Sequence, residues 1–332
     1  MKAPLSTLAP IVVVVGPTAG GKTTLAVELA LATGGECISA DSMQVYRGMD
    51  IGTAKPSSAE RRGVPHHLID IVDPTEDGFT VDAWLERAES TIAEVRLRGN
   101  LPIVVGGTNL YVRALLEGLF EGPEPSAALR RELEETPLTS LRDELGRVDP
   151  VAAQRIHAND RRRSMRAIEV YRQTGTPLSK LQTQWSSNLV EHVRGDAIVI
   201  GLDWPVDAIN RRINARVRAM MTAGFLDEVR TLRSSGPLGR QAREAVGYGE
   251  LLEHLDGSLT LEEATERIKI RSRRYGKQQR TWLRRFRAVT RSHWIDAATT
   301  PVEEWLDRSL AALKSGAHGG ASDEGSAARP EG

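Results

Sequence analysis

The sequence predicts an α/β fold: a mostly parallel sheet flanked by helices, with an all-helical domain inserted into it. Three observations carry this. A β-branched run, Ile11-Val12-Val13-Val14-Val15, leads directly into a glycine-rich loop and then a helix-patterned segment. Strand-like and helix-like segments then alternate up to about Val105, the pattern of parallel strands joined by crossover helices. Between about Ser126 and Trp185 only helical periodicity remains, before strand character returns at Ala197 to Leu202.

The first run is continuous rather than alternating, so it reads as a strand buried on both faces. Gly16-Pro17-Thr18-Ala19-Gly20-Gly21-Lys22-Thr23 follows it with the G-x-x-x-x-G-K-T spacing of a phosphate-binding loop (P-loop). Leu25, Ala26, Leu29 and Ala30 then recur at helical spacing, so the loop has the strand-before, helix-after context it requires. Cys37 to Ala40 reads as a second strand ending at Asp41, and His67 to Ile71 as a third. A helix is expected over 80–97 and a strand over Ile103 to Val105, stopping at Gly106-Gly107-Thr108. Further helices are expected at about 206–222, 224–234, 241–255 and 260–287, and a last strand at His293 to Ile295. The tail from Ser315 is polar and rich in Gly, Ser and Ala, the composition of a disordered segment. The expected division is therefore a core of 1–122 and 191–313, an insert of 123–190 and a tail of 314–332.

Composition excludes several classes. No apolar run approaches the length of a membrane span, and the N-terminal MKAPLSTLAP is too short and too weakly apolar for a signal peptide. The single cysteine, Cys37, rules out an internal disulfide and suits a reducing, cytoplasmic setting. No HExxH, CxxC or helical histidine pair points to a protein-held metal, and His66-His67 reads as a surface turn after Pro65. The net charge is zero, yet Arg267 to Arg287 holds ten Lys or Arg and no Asp or Glu, and a second basic run lies between Arg155 and Arg172. Concentrated basic runs in a neutral chain suit local binding of a polyanion.

Three polar features follow predicted strands: the glycine loop, Asp41-Ser42, and Gly106-Gly107-Thr108. Ligands of open α/β sheets sit beyond the carboxyl ends of the strands, so neighbouring strands would bring all three into one crevice. The loop offers backbone N–H groups and a helix N-terminus to phosphate oxygens, Lys22 adds a charge, and the Thr23 hydroxyl can hold Mg²⁺. Asp41, when ionised, can take a proton from a nucleophile, although a helix cap or an outer Mg²⁺ contact is an equal reading of one carboxylate. Gly106-Gly107 permits close approach of the backbone or serves only as a tight turn. The nearest candidate for the Mg²⁺-serving carboxylate of a nucleotide switch is Asp203, after Val199-Ile200-Gly201-Leu202; with Trp204-Pro205 following, it reads as a strand exit. On the predicted helix 260–287, Ile268, Tyr275, Trp282 and Phe286 share a face, expected to be core packing, with the arginines of the other faces open to RNA.

Longer stretches resemble one family. GPTAGGKT from Gly16, DSMQVYRGMDIGTAKP from Asp41, PHHLID from Pro65 and VGGTNLY from Val105 are similar to segments of the tRNA dimethylallyltransferases. So are HANDRRRSMRAIEVY from His157, AVGYGE from Ala245 and KQQRTWLR from Lys277, giving a resemblance over roughly residues 10–295. It implies transfer of a dimethylallyl group from dimethylallyl diphosphate to N6 of the adenosine 3′-adjacent to the anticodon, in tRNAs reading codons that begin with U, with Mg²⁺. The loop would then hold a prenyl diphosphate. Asp41 matches the family's proposed base and Thr108 the residue that bonds the bridging oxygen of the diphosphate. Gly16 to Thr23 matches the diphosphate loop, Thr23 the metal position and Arg216 a diphosphate-contacting arginine. The resemblance assigns tRNA contacts to Asp41, Ser42, Met43 and Gln44, to Arg130, and to Arg162, Arg163, Ser164, Met165 and Arg166. It assigns them also to Arg243, Glu244, Ala245, Val246, Gly247 and Tyr248; Lys277, Arg280 and Arg284, on the basic helix outside its apolar stripe, are the further tRNA candidates. A monomer is expected, whose partners are the tRNA anticodon stem-loop and the prenyl diphosphate, with no membrane.

The sequence departs from the family at Gly20, often Ser; at Ser164, inside a usually apolar pair; at Gly249, often basic; and at Glu244, an acid on the expected RNA surface. Three rivals remain: a prenyltransferase acting on free adenylates, a P-loop small-molecule kinase, and an RNA-binding NTPase without transfer chemistry. The basic helices and the helical insert favour tRNA over the first two.

Overall fold

The computed structural model describes residues 9–120, 122–124, 126–182 and 193–317. The first half of the core runs β1 (Ile11–Val15), α1 (Lys22–Thr33), β2 (Glu36–Ser39), α2 (Ser58–Arg61), β3 (His66–His67), α3 (Val81–Leu97), β4 (Pro102–Val105) and α4 (Asn109–Glu117). The insert carries α5 (Ala127–Glu135), α6 (Leu138–Val148), α7 (Pro150–Arg155), α8 (Arg161–Thr174) and α9 (Leu178–Leu181). The chain returns as β5 (Ala197–Asp203), α10 (Val206–Thr222), α11 (Phe225–Ser235), α12 (Arg240–Arg243), α13 (Tyr248–Leu255), α14 (Leu261–Phe286), β6 (Ser292–Asp296) and α15 (Val302–Ala317).

The six described strands form one parallel sheet in the order β3-β2-β4-β1-β5-β6. The valine run takes a central place: Val13 lies opposite Val104 on one side and Val199 on the other, and all five residues of β1 are buried. Val12, Val14, Ile103, Ile200 and Leu202 pack on Leu25, Ala26, Leu29 and Ala30 of α1 and on Trp305 of α15. Burial on both faces is what an uninterrupted β-branched strand needs.

The structure corrects four expectations. β3 has two residues, not the expected stretch to Ile71, because Leu68 and Asp70 adopt left-handed backbone (φ 59° and 57°) and turn the chain off the sheet. His66-His67 is thus a sheet strand rather than a surface turn, paired with Cys37 and Ile38. The expected helix 241–255 is broken between α12 and α13 by Gly247 (φ 100°), where a side chain would meet the Phe225 ring at 2.5 Å. Helix α15 was not expected at all, and it carries Ser315 to Ala317 of the expected tail; the remaining tail, 318–332, lies outside the described residues, as do 183–185 of the expected helical stretch.

The insert is a compact unit, Glu117–Val193, with its own core of Leu133, Leu141, Leu145, Ala152, Ile156, Ala167, Ile168, Val170 and Leu178. Its boundaries fall a few residues outside those expected, so it takes in the last residue of α4. Ser164, the departure from an apolar pair, is buried in it with its hydroxyl donating to the Asp160 carbonyl at 2.8 Å, the usual way a polar helix residue is satisfied inside a core.

Candidate active site

The sheet order places β2, β4 and β1 side by side, so the three polar strand ends are neighbours. They line one pocket: Thr18, Lys22 and Thr23 from the loop, Asp41 after β2, and Val105, Gly106 and Gly107 at the end of β4. Gln44, Thr53, Pro56 and His66 close one side, and Arg216 of α10 with Tyr275 and Gln279 of α14 close another. Close approach has a steric requirement. A Cβ on Gly106 would lie 2.1 Å from the Ala40 carbonyl oxygen, so only glycine lets β4 turn against the end of β2.

The loop's conformation is fixed through its carbonyls. Lys22 Nζ donates to Pro17 O at 2.9 Å, Arg212 Nε to Ala19 O at 2.8 Å, and Trp204 Nε1 to Gly20 O at 3.0 Å. Ala19 (φ 60°) and Gly21 (φ 91°) are left-handed, which lets successive N–H groups face one concavity. Gly21 caps α1, and a side chain there would meet the Trp305 ring at 2.8 Å, so α15 braces the loop from behind. At Gly20 a Cβ would fall 2.8 Å from Pro17 O, so the glycine at this departure suits a tightly closed loop.

Two cations share the pocket with little compensation. Partial desolvation and the neighbouring positive Arg216 lower the pKa of the half-buried Lys22 to about 8, with Asp41 acting in the opposite sense. Arg216 is likewise lowered, first by burial, against the raising influence of Asp41 and Glu60. It makes no hydrogen bond or ion pair among the described residues. Neighbouring cations that are half-buried and partly desolvated create a demand for an anion.

Asp41 sits across from them. Its Oδ1 accepts from the Met43 N–H at 2.9 Å and the Gln44 N–H at 3.4 Å, a local turn that fixes the carboxylate, and Oδ2 accepts no hydrogen bond among the described residues. Thr108 is placed differently from a direct ligand. It does not line the pocket; its Oγ1 accepts from the Ser42 N–H at 2.9 Å and donates to Ser42 Oγ at 3.1 Å. Gln44 is committed too, accepting from Ser39 Oγ and donating to the Thr53 and Ala54 carbonyls.

The other residues expected to meet RNA divide by exposure. Of Arg243 to Tyr248 only Arg243 and Glu244 are exposed; Ala245, Gly247 and Tyr248 are buried, with Val246 between, and Tyr248 donates to Glu228 at 2.6 Å. Glu228 also accepts from the N–H groups of Asp50, Ile51 and Gly52, so this segment braces the long loop after Asp41. Glu244 is paired with Arg240, and Arg271 lies 3.8 Å from where a Gly249 side chain would begin, which places a cation at the position that departs from a basic residue. Lys277 and Arg284 are exposed on α14, while Arg280 is half-buried. In the insert, Arg162 and Arg163 are exposed, whereas Arg130 and Arg166 both grip the buried carboxylate of Glu169, at 3.1 and 2.8 Å. Asp203, the nearest candidate for a nucleotide-switch carboxylate, is held by Arg287 at 2.6 Å and is absent from the pocket lining.

Several pocket residues escaped sequence reasoning: Ser39, Thr53, Pro56 and His66 on one side, and two from α14. Tyr275, expected in the core, is at the surface end of the pocket with its hydroxyl donating to Gly107 O at 3.2 Å. Gln279 is buried and donates to the same carbonyl at 2.9 Å while its Oε1 accepts from the Thr18 N–H at 2.7 Å. The buried stripe of α14 runs through Ala264, Ile268, Gly276, Gln279, Leu283 and Phe286. A glutamine in register with apolar residues was the available signal for a buried polar contact.

Fold and site together define a P-loop-like α/β enzyme in which a cation-lined pocket beside the glycine loop holds a single fixed carboxylate. The family described as IPP transferase matches residues 44–286, and the chain belongs to it. A tRNA dimethylallyltransferase of Syntrophobacter fumaroxidans is 47% identical over 297 residues, covering 88% of this chain and 84% of that protein. One from Symbiobacterium thermophilum is 49% identical over 292 residues, 86% and 89% of the two chains. Among solved structures, the full-length tRNA isopentenylpyrophosphate transferase of Bacillus halodurans superposes with a TM-score of 0.67 at 40% identity, covering 92% and 97% of the chains. A eukaryotic dimethylallyltransferase described as acting on tRNA gives 0.77 at 28% identity, covering 91% and 77%.

Proposed function

We propose that this enzyme transfers a dimethylallyl group from dimethylallyl diphosphate to N6 of the adenosine 3′-adjacent to the anticodon of tRNAs reading codons that begin with U, releasing diphosphate. The observation that carries the reading is the meeting, in one pocket, of an unpaired carboxylate oxygen on Asp41 with the cationic cradle of Lys22, Arg216 and the loop N–H groups. A phosphoryl transfer enzyme needs its catalytic groups around the terminal phosphate. Alkyl transfer instead needs an acceptor for the amine proton at one end and neutralisation of a leaving diphosphate at the other.

In this reading Asp41 orients the exocyclic amine and accepts a proton from it as the N6–C1 bond forms and the C1–O bond breaks. The adenine has to leave the anticodon-loop stack, which costs a few kcal/mol because the loop is already single-stranded. Lys22 and Arg216 neutralise the departing diphosphate. Mg²⁺ fits the donor set: it takes one or two protein ligands with phosphate oxygens and waters, and Thr23 supplies a hydroxyl at the pocket wall. When bound it would add charge neutralisation at the leaving group. Thr108, through Ser42, holds the turn beside Asp41. The exposed arginines Arg162, Arg163, Arg243 and Arg284, with Lys277, are the proposed tRNA contacts. The protein would work in the cytoplasm, as a monomer; no helix among the described residues is long and apolar enough to cross a membrane.

The test is label transfer from dimethylallyl diphosphate or from γ-labelled ATP, each with tRNA, AMP or no acceptor. Label entering tRNA only from the prenyl donor is the expected result. Transfer to AMP would favour the adenylate prenyltransferase, and transfer from ATP a kinase.

A further inference from the structure

Gln279, from α14, joins two walls of the pocket, the glycine loop and the end of β4. Its Oε1 accepts from the N–H of Thr18, the third residue of the phosphate loop, at 2.7 Å, and its Nε2 donates to Gly107 O at 2.9 Å. The amide cannot be turned over, because an N–H must meet Oε1 and a carbonyl must meet Nε2. The side chain is 1% exposed and has no slack: a Cβ on Gly107 would lie 2.5 Å from Nε2, so the absence of a side chain there is what admits the glutamine. One turn earlier on α14, Gly276 brings the helix within 3.9 Å of the Thr18 methyl, again measured from where a Cβ would stand.

The consequence is a shortened cradle. The Thr18 N–H is taken by Gln279 and the Gly20 N–H by Pro17 O at 3.1 Å. The N–H groups of Ala19, Gly21, Lys22 and Thr23 make no hydrogen bond among the described residues, so the donors left for phosphate cluster at the α1 end. A longer phosphate chain would need room and a donor at the Thr18 end, where a buried amide stands, bonded through both its oxygen and its nitrogen. Displacing it would leave a buried glutamine amide unpaired and the Gly107 carbonyl with only the Tyr275 hydroxyl, the costly kind of loss.

We propose that Gln279 sets the length of phosphate chain the loop accepts, admitting a diphosphate and excluding a triphosphate. It is a specificity-determining residue, acting through the Thr18 N–H and the space beside it. The inference rests on the reading of the loop as a diphosphate site.

The experiment is calorimetric titration of the full-length protein with inorganic diphosphate and inorganic triphosphate, each with Mg²⁺, for the unaltered protein, Gln279→Ala and the exposed neighbour control Gln278→Ala. The unaltered protein and Gln278→Ala should bind diphosphate about tenfold or more tighter than triphosphate, and Gln279→Ala should bring the two within about threefold. Equal binding of both anions by the unaltered protein overturns the proposal. So does an unchanged ratio in a Gln279→Ala protein that still binds diphosphate. Should Gln279→Ala bind neither, the same ratio is read in Gln279→Asn, which keeps the amide one methylene short, and a ratio no lower than that of the unaltered protein overturns the proposal. Failure of the unaltered protein to bind diphosphate at all would instead sink the reading of the loop on which the inference rests.

Discussion

The core and the insert are both rich in arginine and use it in opposite ways. In the core pocket, Lys22 and Arg216 are neighbours in a lining that contains one carboxylate, and both have lowered pKa values. In the insert, most of the basic run from Arg155 to Arg172 is spent internally. Arg161 donates to the carbonyls of Leu133, Glu134 and Thr136 around the end of α5; Arg166 and Arg130 share Glu169; Arg172 bridges Glu132 and Glu144. The core leaves its pocket cations without ion-pair partners among the described residues, while the insert uses its arginines to tie α5, α6 and α8 together. Arg162 and Arg163 are the insert's exceptions, exposed on α8, with Arg163 loosely paired to Asp160 at 3.4 Å. A basic run in sequence therefore says little about RNA until its internal partners are subtracted.

The comparison is tested most strongly at the carboxylate. Asp41→Ala should lower turnover by ~10²–10⁴, the usual contribution of a positioned base, while tRNA affinity stays within about threefold. Single-turnover kinetics alongside equilibrium tRNA binding would reveal equal losses in both, which would make Asp41 a binding residue. Next in size is the insert's own ion cluster. Glu169→Ala leaves Arg130 and Arg166 without their shared partner and should cost about 1–3 kcal/mol. That is below the ~3–5 kcal/mol of a fully buried pair, because both arginines reach solvent. Thermal unfolding followed together with diphosphate binding should show loss of stability with the anion site intact; unchanged melting would refute the internal role of these arginines.

Smaller effects separate the two exposed arginines from their neighbours. Arg162→Ala and Arg163→Ala should each raise the tRNA Michaelis constant and reduce the salt slope by about one unit, with the constant for dimethylallyl diphosphate unmoved. A salt slope equal to that of the unaltered protein would leave the insert without its proposed RNA contacts. The mildest effect is a pH dependence in the core. The folded Lys22 titrates at about 8, below its ordinary 10.5, so it is charged under neutral conditions and loses its proton as pH rises through 8. Affinity for dimethylallyl diphosphate should therefore fall above pH 8. By the same linkage, the cost of burying the cation is relieved between pH 8 and 10.5, so Lys22 favours folding as pH rises across that window. Lys22→Arg should abolish the inflection in a titration from pH 7 to 9.5; an inflection that survives belongs to another group.

Much of this architecture was legible because it rests on local rules. The valine run, the glycine spacing and the helical period of α1 needed no tertiary information, and β1, α3, α10 and α14 lie within two residues of their expected limits. Helix α15 was legible and passed over: Trp305, Leu306, Leu310 and Leu313 keep a helical period after Pro301 and acidic Glu303 and Glu304, but the polar tail beyond them drew the boundary too early. Tyr275 was misplaced for a different reason. Period alone puts it on a face with Ile268 and Phe286, yet the axis of α14 crosses the rim of the pocket, so one stripe changes from core to ligand wall within two turns.

By itself the sequence determined that a strand feeds a phosphate loop, that polar residues stop three strands, and that helices interrupt the sheet. These follow from period, backbone freedom and hydrogen-bonding capacity, which act within a few residues. Only the tertiary structure decided the strand order that makes β2, β4 and β1 neighbours, the pairing that silences Arg130 and Arg166, and the reach of Gln279 from α14 to the Thr18 N–H, 261 residues away in the chain. Contacts at that separation are set by packing of whole elements, and no local propensity encodes which carbonyl or carboxylate a buried side chain will meet.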